Sequence, residues 1–316
     1  MNKKSVHGFA LVDKEKGVSS FFVLKQLKAR LAREGSLVRK VTDGRDRIDL
    51  KHLKIGHAGT LDPIATGLLV VAVGEATKLL EYVVGADKVY AATAFLGAVT
   101  ETYDAEGEVN STDFSNDANE GGITLKLIKK VVQKFTGEIK QIPPKFSAKK
   151  IGGVSAYKLA REGQEVSMKE CAVRVDAIDV ISFKWPELKM RVKCSSGTYI
   201  RSLIHDIGQA LKCGAYMLEL RRFSVGGFDV RDAVKVDDFS FCDVREIEKF
   251  TDLKVIDFGD DVDSFNRLNR GMFVKASAPK DSVFLGKFNG KIFAILEKCK
   301  DGVGLVKVKK KLNVFV

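Results

Sequence analysis

Residues 56–67 read GHAGTLDPIATG and run directly into the apolar stretch LLVVAV at residues 68–73. Three glycines, two alanines and a proline in this stretch describe a tight loop that another group can approach closely. The apolar run that follows is typical of a buried strand. The loop holds a single carboxylate, Asp62, before a proline that favours extended backbone. On the residues alone, such an aspartate is more often a turn or capping residue than a catalytic group.

Strand and helix patterns follow one another along the chain without a regular β-α-β period. Apolar and cationic residues alternate strictly over 188–194, which is the pattern of a half-buried strand. A stripe of isoleucine and leucine after residue 198 predicts a helix that packs on one face. Further strands are predicted at residues 8–15, 68–73 and 88–96, and further helices after Ser19 or Ser20 and over residues 124–135. This mixture predicts an α+β fold.

The pattern changes beyond the acidic segment at residues 229–263, where short strands replace the mixed elements. The strands predicted there are residues 283–288, 291–296, 303–308 and 314–316, and the third is followed by a run of lysines. Asn289-Gly290 lies between the first two and indicates a type I′ hairpin. We therefore expect two domains, residues 1–255 and residues 256–316, of which the second is a small all-β binding accessory.

The charge of the chain is strongly positive and unevenly distributed. Its 53 Lys and Arg against 41 Asp and Glu give a net charge of +12 over 316 residues, which favours a polyanionic partner. Residues 1–55 and 140–169 are basic, whereas residues 101–120 and 229–263 are acidic. This segregation predicts one basic face with acidic regions turned away. The alternative on charge alone is a basic solvated surface without a partner.

Membrane and redox classes of protein are disfavoured by the sequence. The longest apolar stretch, residues 68–73, is far shorter than the ~20 residues of a transmembrane helix. Residues 1–15 meet charges before a secretory core can form. The five cysteines include no Cys-x-x-Cys pair, and the four histidines show no metal-ligand spacing. We expect a cytoplasmic protein with reduced thiols and no metal.

The string GHAGTLDPIATGLL at residues 56–69 resembles the active-site motif of the TruB-type tRNA pseudouridine synthases. Other segments that resemble motifs of the family are GFALVDKEKGVSS at residues 8–20, DKVY at 87–90, IPPKFSAKKIGGVSAYKLAREG at 142–163, CSSGTYIRSLIHDIG at 194–208 and LELRR at 218–222. The likeness covers residues 8–228. It implies a catalytic domain with a mixed, mostly antiparallel sheet, and a PUA-like domain at residues 256–316.

The resemblance assigns roles to residues at the matching positions. It makes Asp62 the catalytic carboxylate, with Arg201 as its ion-pair partner. It makes Tyr90 the aromatic that stacks on the target base, and it places Tyr199 and Leu220 in the wall of the pocket. On the residues alone, a strand tyrosine is ordinarily packing and a helix arginine ordinarily a loose surface ion pair. The motifs favour the site roles.

The resemblance also implies how the RNA is held. His57 would contact a base rather than act as an acid or base catalyst. The thumb-like segment at about 140–169 would contact the RNA backbone, and we assign Lys145, Lys149, Lys150 and Arg161 to this role. The charged stretch 33–54 shows no clean period and is predicted as a basic loop. It either enlarges the RNA footprint or is an insertion without function.

The family converts the uridine at position 55 of the tRNA T loop to pseudouridine. This isomerisation breaks the glycosidic bond and rejoins the uracil through carbon 5, so no cofactor is expected. The target base must be flipped out, which costs a few kcal/mol, and stacking on Tyr90 returns ~1–3 kcal/mol. The carboxylate of Asp62 could attack the ring or the sugar, or abstract a sugar proton. An Arg partner would lower its pKa and keep it ionised.

Two positions depart from the family pattern, and neither is the carboxylate. Glu15 replaces the usual proline, and Phe146 stands where a tyrosine is common. The expected partner is the tRNA T stem-loop, with no membrane, no obligatory protein partner and a monomeric chain. Assistance to tRNA folding can coexist with catalysis. The alternatives are a guide-RNA-dependent relative in a ribonucleoprotein and a non-catalytic RNA-binding or tRNA-folding protein.

Overall fold

The computed structural model describes residues 7–39, 53–111, 122–147, 149–164, 167–276, 283–299 and 304–312. Its strands are Gly8–Lys14 (β1), Ile55–His57 (β2), Thr66–Val73 (β3), Lys88–Leu96 (β4), Ala98–Thr100 (β5), Val109–Ser111 (β6), Gly137–Gln141 (β7), Lys150–Ile151 (β8), Val154–Ser155 (β9), Cys171–Lys184 (β10), Glu187–Cys194 (β11), Ala215–Val225 (β12), Phe228–Asp229 (β13), Val234–Lys235 (β14), Val255–Asp257 (β15), Val274–Lys275 (β16), Val283–Phe288 (β17), Lys291–Lys298 (β18) and Leu305–Lys311 (β19). Its α-helices are Ser20–Arg39 (α1), Leu80–Val84 (α2), Leu125–Val132 (α3), Ala156–Arg161 (α4), Ile200–Ala210 (α5) and Val262–Asn269 (α6).

A mixed sheet carries the larger part of the described chain. Its strand order is β14-β1-β3-β12-β4-β11-β10-β7, with β2 paired to β3 and β13 paired to β12. The pairs β1–β14 and β3–β12 are parallel, and the other pairs of this sheet are antiparallel. The predicted α+β class and the mostly antiparallel sheet are therefore confirmed.

Strands and helices form where the spacing of apolar side chains and the capping residues favour them. β11 buries every second residue, because alternate side chains of a strand point to opposite faces. α1 begins where the Ser19 hydroxyl accepts a hydrogen bond from the amide of Phe22 at 3.1 Å, which is an N-cap contact. α5 buries its apolar stripe, including Leu203 and Ile207, against the sheet. These three predictions are confirmed.

The prediction of an irregular loop over residues 33–54 is wrong for its first part. Residues 33–39 continue α1 to Arg39, and residues 53–57 lead into and form β2. A helix that has begun gains one hydrogen bond for each further residue, so it extends through charged residues without an apolar period. Residues 40–52 lie outside the described residues.

A second, five-stranded sheet follows in the order β15-β17-β18-β19-β16. Asn289 and Gly290 connect β17 and β18 with φ values of 45° and 71°, as the type I′ hairpin requires. β19 starts two residues later than predicted, and the strand predicted at residues 314–316 lies outside the described residues. The small all-β module is thus confirmed, and in this structure its first strand begins at Val255.

The lysine run of β19 contacts the rest of the chain. The Lys309 ammonium donates to the Tyr82 hydroxyl at 3.1 Å, and Lys310 forms an ion pair with Glu81. The Lys311 carbonyl accepts from Lys78 at 2.6 Å. A shared apolar cluster, which includes residues of β17, β18 and the segment 74–84, lies beneath these contacts. The run therefore holds the small sheet against the larger one.

Candidate active site

The loop between β2 and β3 is held on both sides of Asp62. The Ser20 hydroxyl accepts from the amide of Leu61 at 2.8 Å and donates to its carbonyl at 2.9 Å. The amide of Gly17 donates to the carbonyl of Pro63 at 2.8 Å. Because the residues before and after Asp62 are both fixed by the turn that leads into α1, the backbone of the loop is preorganised.

The carboxylate of Asp62 meets an arginine from the first turn of α5. The distance from Arg201 Nε to Asp62 Oδ2 is 3.0 Å. The same guanidinium lies 3.2 Å through Nη1 from Oδ2 of a second carboxylate, Asp104. The side chain of Asp62 is 34% exposed, whereas those of Arg201 and Asp104 are 6% and 2% exposed. Asp62 is thus the member of this trio that a ligand can reach.

The remaining hydrogen bonds of Arg201 join two further segments. Its Nη1 donates to the carbonyl of Thr102 at 3.1 Å, and its Nη2 donates to the carbonyl of Phe146 at 2.9 Å. The Thr102 hydroxyl in turn donates to Asp104 Oδ1 at 2.6 Å. Since Phe146 contributes a backbone carbonyl, the change from the family's tyrosine leaves this bond in place. Arg201 therefore ties together the loop that carries Asp62, the 101–107 turn and the thumb-like segment.

The protonation of Asp62 is set by opposing effects. Burial raises its pKa above the usual range, and the charge of Asp104 adds to the rise. The Arg201 guanidinium and, more weakly, the Lys14 ammonium act against it. The expected lowering by Arg201 is present, but burial outweighs it. Lys14 is itself fully buried, and burial lowers its pKa to about 8.

Tyr90 lies on β4 behind the same loop. Its side chain is 7% exposed and belongs to a cluster with Leu61, Ile64 and Ala65. Small alanines occupy the alternate positions that follow Tyr90 along the strand, which leaves room beside the ring. Burial raises the pKa of the Tyr90 hydroxyl, while the Arg222 guanidinium beside it opposes the shift. The ring is placed against the loop that carries Asp62.

A fully buried arginine braces this loop from beneath. Arg222 Nε donates to the carbonyl of Leu68 at 2.7 Å, and Nη2 donates to the carbonyl of Gly59 at 3.0 Å. A Cβ at Gly67 would lie 2.3 Å from the Arg222 carbonyl oxygen, and Gly67 has a φ of 98°. Both the space and the backbone conformation therefore require glycine at this position.

Three other predicted residues lie around this centre. Tyr199 is fixed through its backbone, since its amide donates to Gln141 Oε1 at 2.8 Å and its carbonyl accepts from Nε2 at 2.9 Å. Leu220 is 8% exposed and shares the cluster of Tyr90. His57 ends β2, and burial lowers its pKa, which favours the neutral form of the imidazole. Its Nδ1 is buried with no hydrogen-bond partner in the described part of the chain.

The predicted backbone-contact cations lie on the thumb-like segment. Lys145 is exposed, and the Arg161 guanidinium lies 5.0 Å from the centre of the Tyr157 ring. The Lys149 ammonium donates to Cys171 Sγ at 3.0 Å. The side chain of Lys150 lies outside the described atoms. Arg201 reaches the start of this segment through the Phe146 carbonyl.

Sequence reasoning missed Asp104 and Arg222. Asp104 lies in an acidic stretch that was expected to turn away from the site, and Arg222 falls in a strand where its burial has no local signal. Arg222 lies in the LELRR segment that resembles a family motif, whereas Asp104 lies in none of the motif segments. Within the described residues, no group of three His, Cys, Asp or Glu side chains could hold a metal ion. None of the described helices is both long and apolar enough to cross a membrane.

Comparison with known proteins decides the family. The model of the "TruB family pseudouridylate synthase (N terminal domain)" matches residues 45–200, and that of the "tRNA pseudouridylate synthase B C-terminal domain" matches residues 201–250. A tRNA pseudouridine synthase B of Bacteroides fragilis is 44% identical over 203 residues, which cover 64% of this chain and 85% of the relative. The chain belongs to the TruB family.

A further relative supports the family, and solved structures support the fold. The tRNA pseudouridine synthase B of Francisella tularensis is 38% identical over 243 residues, covering 76% of this chain and 73% of the relative. A chain of a Cbf5-Nop10-Gar1 complex matches with a TM-score of 0.64 at 23% identity, covering 97% of this chain and 85% of that chain. A chain of the archaeal box H/ACA sRNP Nop10-Cbf5 complex matches with a TM-score of 0.63 at 22% identity, covering 98% and 87%. These structures support the fold.

Proposed function

We propose that this TruB-family pseudouridine synthase isomerises the uridine at position 55 in the T loop of tRNA, with Asp62 as the catalytic carboxylate. The observation that carries the proposal is the contact of 3.0 Å between Asp62 and Arg201, beside the buried ring of Tyr90. A partly exposed carboxylate, held by a buried cation next to an aromatic ring, suits an enzyme that attacks a flipped base.

The chemistry requires an ionised carboxylate at the start. The bond from the sugar C1′ to uracil N1 breaks, a bond from C1′ to C5 forms, C5 loses a proton and N1 gains one. Asp62 attacks the ring or the sugar, or takes the sugar proton, and each route begins with its anion. Arg201 stabilises that anion against the burial that raises its pKa. No electrons are exchanged overall, so the chain's own residues suffice.

Recognition of the flipped uridine falls to the residues around Asp62. Tyr90 stacks on the base, and Tyr199 and Leu220 close the pocket around it. His57 contacts a base from the end of β2, where a neutral imidazole can accept as well as donate a hydrogen bond. Arg222 acts through Gly59 and Leu68, whose carbonyls it holds, and is a positioning residue.

The RNA backbone is held outside the pocket. Residues 1–255 form the catalytic domain, and its thumb-like segment at 140–169 contacts phosphates, with Lys145, Lys149, Lys150 and Arg161 as the cations. Residues 256–316 form a PUA-like RNA-binding domain. The enzyme works in the cytoplasm as a monomer without an obligatory protein partner or cofactor, and it also assists tRNA folding.

Incubation of the purified chain with an unmodified tRNA transcript tests the proposal. Without guide RNA or cofactor, we expect pseudouridine at position 55 and at no other site, mapped by chemical modification and primer extension. Asp62→Asn should bind the transcript as tightly as the wild type and form no product.

The other outcomes separate the alternatives. Tight, salt-dependent binding of the transcript without any product from the wild type would point to a guide-dependent enzyme or an RNA-folding protein. Product from Asp62→Asn would overturn the assignment of the catalytic carboxylate.

A further inference from the structure

Two phenylalanines on the first turn of α1 are exposed to solvent. The surface of Phe21 is 64% exposed and that of Phe22 is 48% exposed. α1 packs on the sheet through Val23, Leu24, Leu27 and Leu31, which are buried. The two rings therefore lie off the packed face of the helix. Neighbouring exposed aromatic side chains commonly mark a binding surface, because burying them on a partner is favourable.

This pair adjoins the active-site loop. Ser20, the preceding residue, makes both of its hydroxyl hydrogen bonds to the backbone of Leu61, next to Asp62. Consecutive Cα atoms are 3.8 Å apart, so the Cα of Phe21 lies within about 10 Å of the Leu61 amide. An RNA loop whose uridine reaches Asp62 has its neighbouring nucleotides within reach of these rings.

The charge around the rings suits a nucleic acid. The Lys25 ammonium lies 4.9 Å from the centre of the Phe21 ring, in a cation–π position. Residues 20–33 of this helix contain no acidic side chain. Aromatic faces with adjacent ammonium groups bind an unpaired base by stacking and its phosphate by charge.

We propose that Phe21 and Phe22 form a stacking subsite for an unpaired base of the RNA next to the target uridine, with Lys25 facing its phosphates. The inference rests on the proposed function and extends its site by one nucleotide position. The flipped uridine occupies the pocket of Tyr90, and the flanking base covers the exposed pair. In an enzyme that bound its RNA through the thumb-like segment alone, the two rings would make no contact with the RNA.

Steady-state kinetics on an unmodified T stem-loop transcript provide the first test. The double variant Phe21→Ala/Phe22→Ala should raise KM about tenfold, equal to roughly 1.4 kcal/mol, and leave kcat within about twofold. Ile181→Ala is the matched control, because Ile181 is 64% exposed on β10, outside the thumb-like segment and outside residues 256–316. It should leave both constants unchanged.

Further substitutions separate base stacking from general apolar contact. Phe21→Leu/Phe22→Leu keeps apolar side chains but removes the aromatic faces, and it should lose affinity as the alanine variant does. Phe21→Trp/Phe22→Trp should retain wild-type KM. If the leucine variant kept wild-type KM, or if the alanine variant changed the oligomeric state without changing KM, the subsite would be disproved in favour of a protein contact.

A direct readout keeps this test separate from catalysis. With 2-aminopurine in place of the nucleotide on either side of the target uridine, binding to the wild type should quench the fluorescence at one of the two positions. The quenching should disappear in the leucine variant. A wild type that quenched but made no pseudouridine would refute the proposed function and retain the subsite, whereas product formation with unchanged fluorescence at both positions would refute the subsite alone.

Discussion

Asp104→Asn tests whether the second carboxylate on Arg201 sets the geometry and charge of the active site. The substitution keeps the shape of the side chain and an oxygen that can accept from Arg201 Nη1, now 3.2 Å from Asp104 Oδ2. It turns an ion pair into a hydrogen bond from the still charged guanidinium to a neutral amide oxygen, and we expect this change to cost about 1.5–3 kcal/mol. Asp104 is 2% exposed, so solvent screens little of this difference.

The lost interaction energy sets the expected decreases in kcat and in melting temperature. If the lost interaction energy appears as a less well-fixed position of Arg201 beside Asp62, kcat drops roughly 10- to 100-fold, since each 1.36 kcal/mol is a factor of ten. The same loss lowers the melting temperature by several degrees, at about 2–4 °C per kcal/mol. Binding of the transcript should be unchanged, because Asp104 is buried beneath Arg201 and out of contact with RNA.

The pH dependence of kcat distinguishes a change in the charge around Asp62 from a loss of structure alone. The charge of Asp104 raises the pKa of Asp62. Its removal lowers that pKa, so the acid limb of single-turnover kcat against pH moves to lower pH in the variant. Glu101→Gln is the control, because Glu101 is an exposed carboxylate of the same turn and makes no ion pair with Arg201 in the described structure. An acid limb that moved to higher pH, or a wild-type kcat, would refute the reasoning.

Two further predictions concern the support of the site. Ser20→Ala removes the side chain that bonds the amide and carbonyl of Leu61 and should lower kcat about tenfold. Ser19→Ala removes only the N-cap bond of 3.1 Å and should cost about 1 kcal/mol of stability at unchanged kcat. Equal kcat values for the two variants would contradict this prediction. Burial lowers the pKa of Lys88 from 10.5 to about 8, so between these pH values the unfolded chain binds more protons and Lys88 makes the wild type more stable as pH rises. We therefore compare the free energies of unfolding of Lys88→Met and the wild type in urea titrations. The value for the variant minus that for the wild type should fall by about 3 kcal/mol from pH 8 to pH 10.5. A constant difference would show that Lys88 is not desolvated.

The elements whose signals are local were predictable from sequence. Strict alternation over residues 188–194 became the alternating burial of β11, because the side-chain period of a strand is two. The Asn289-Gly290 pair became a hairpin turn, because both residues tolerate the positive φ that the turn needs. The helix at residues 33–39 was missed, since its residues carry charge without an apolar period and extend a helix begun elsewhere.

The positions of Asp62, Tyr90 and Arg201 in one site were expected from the resemblance, and the structure brings them together. No local pattern could show that Asp104 would share Arg201, because the contact joins a turn to a helix far along the chain. The same holds for Arg222, whose bonds to Gly59 and Leu68 depend on the pairing of β12 with β3.

The sequence by itself determined the elements with a clear local pattern, the small second sheet and the loop at residues 56–67 that resembles the family's motif. Those properties depend on neighbouring residues, whose backbone preferences and side-chain period act over short distances. Only the tertiary structure decided which charges are buried and which are paired. Asp62 has a raised pKa because distant segments cover it, and Lys310 meets Glu81 because the two sheets pack together. Burial and Coulomb interactions depend on distances in space, which the order of residues does not contain.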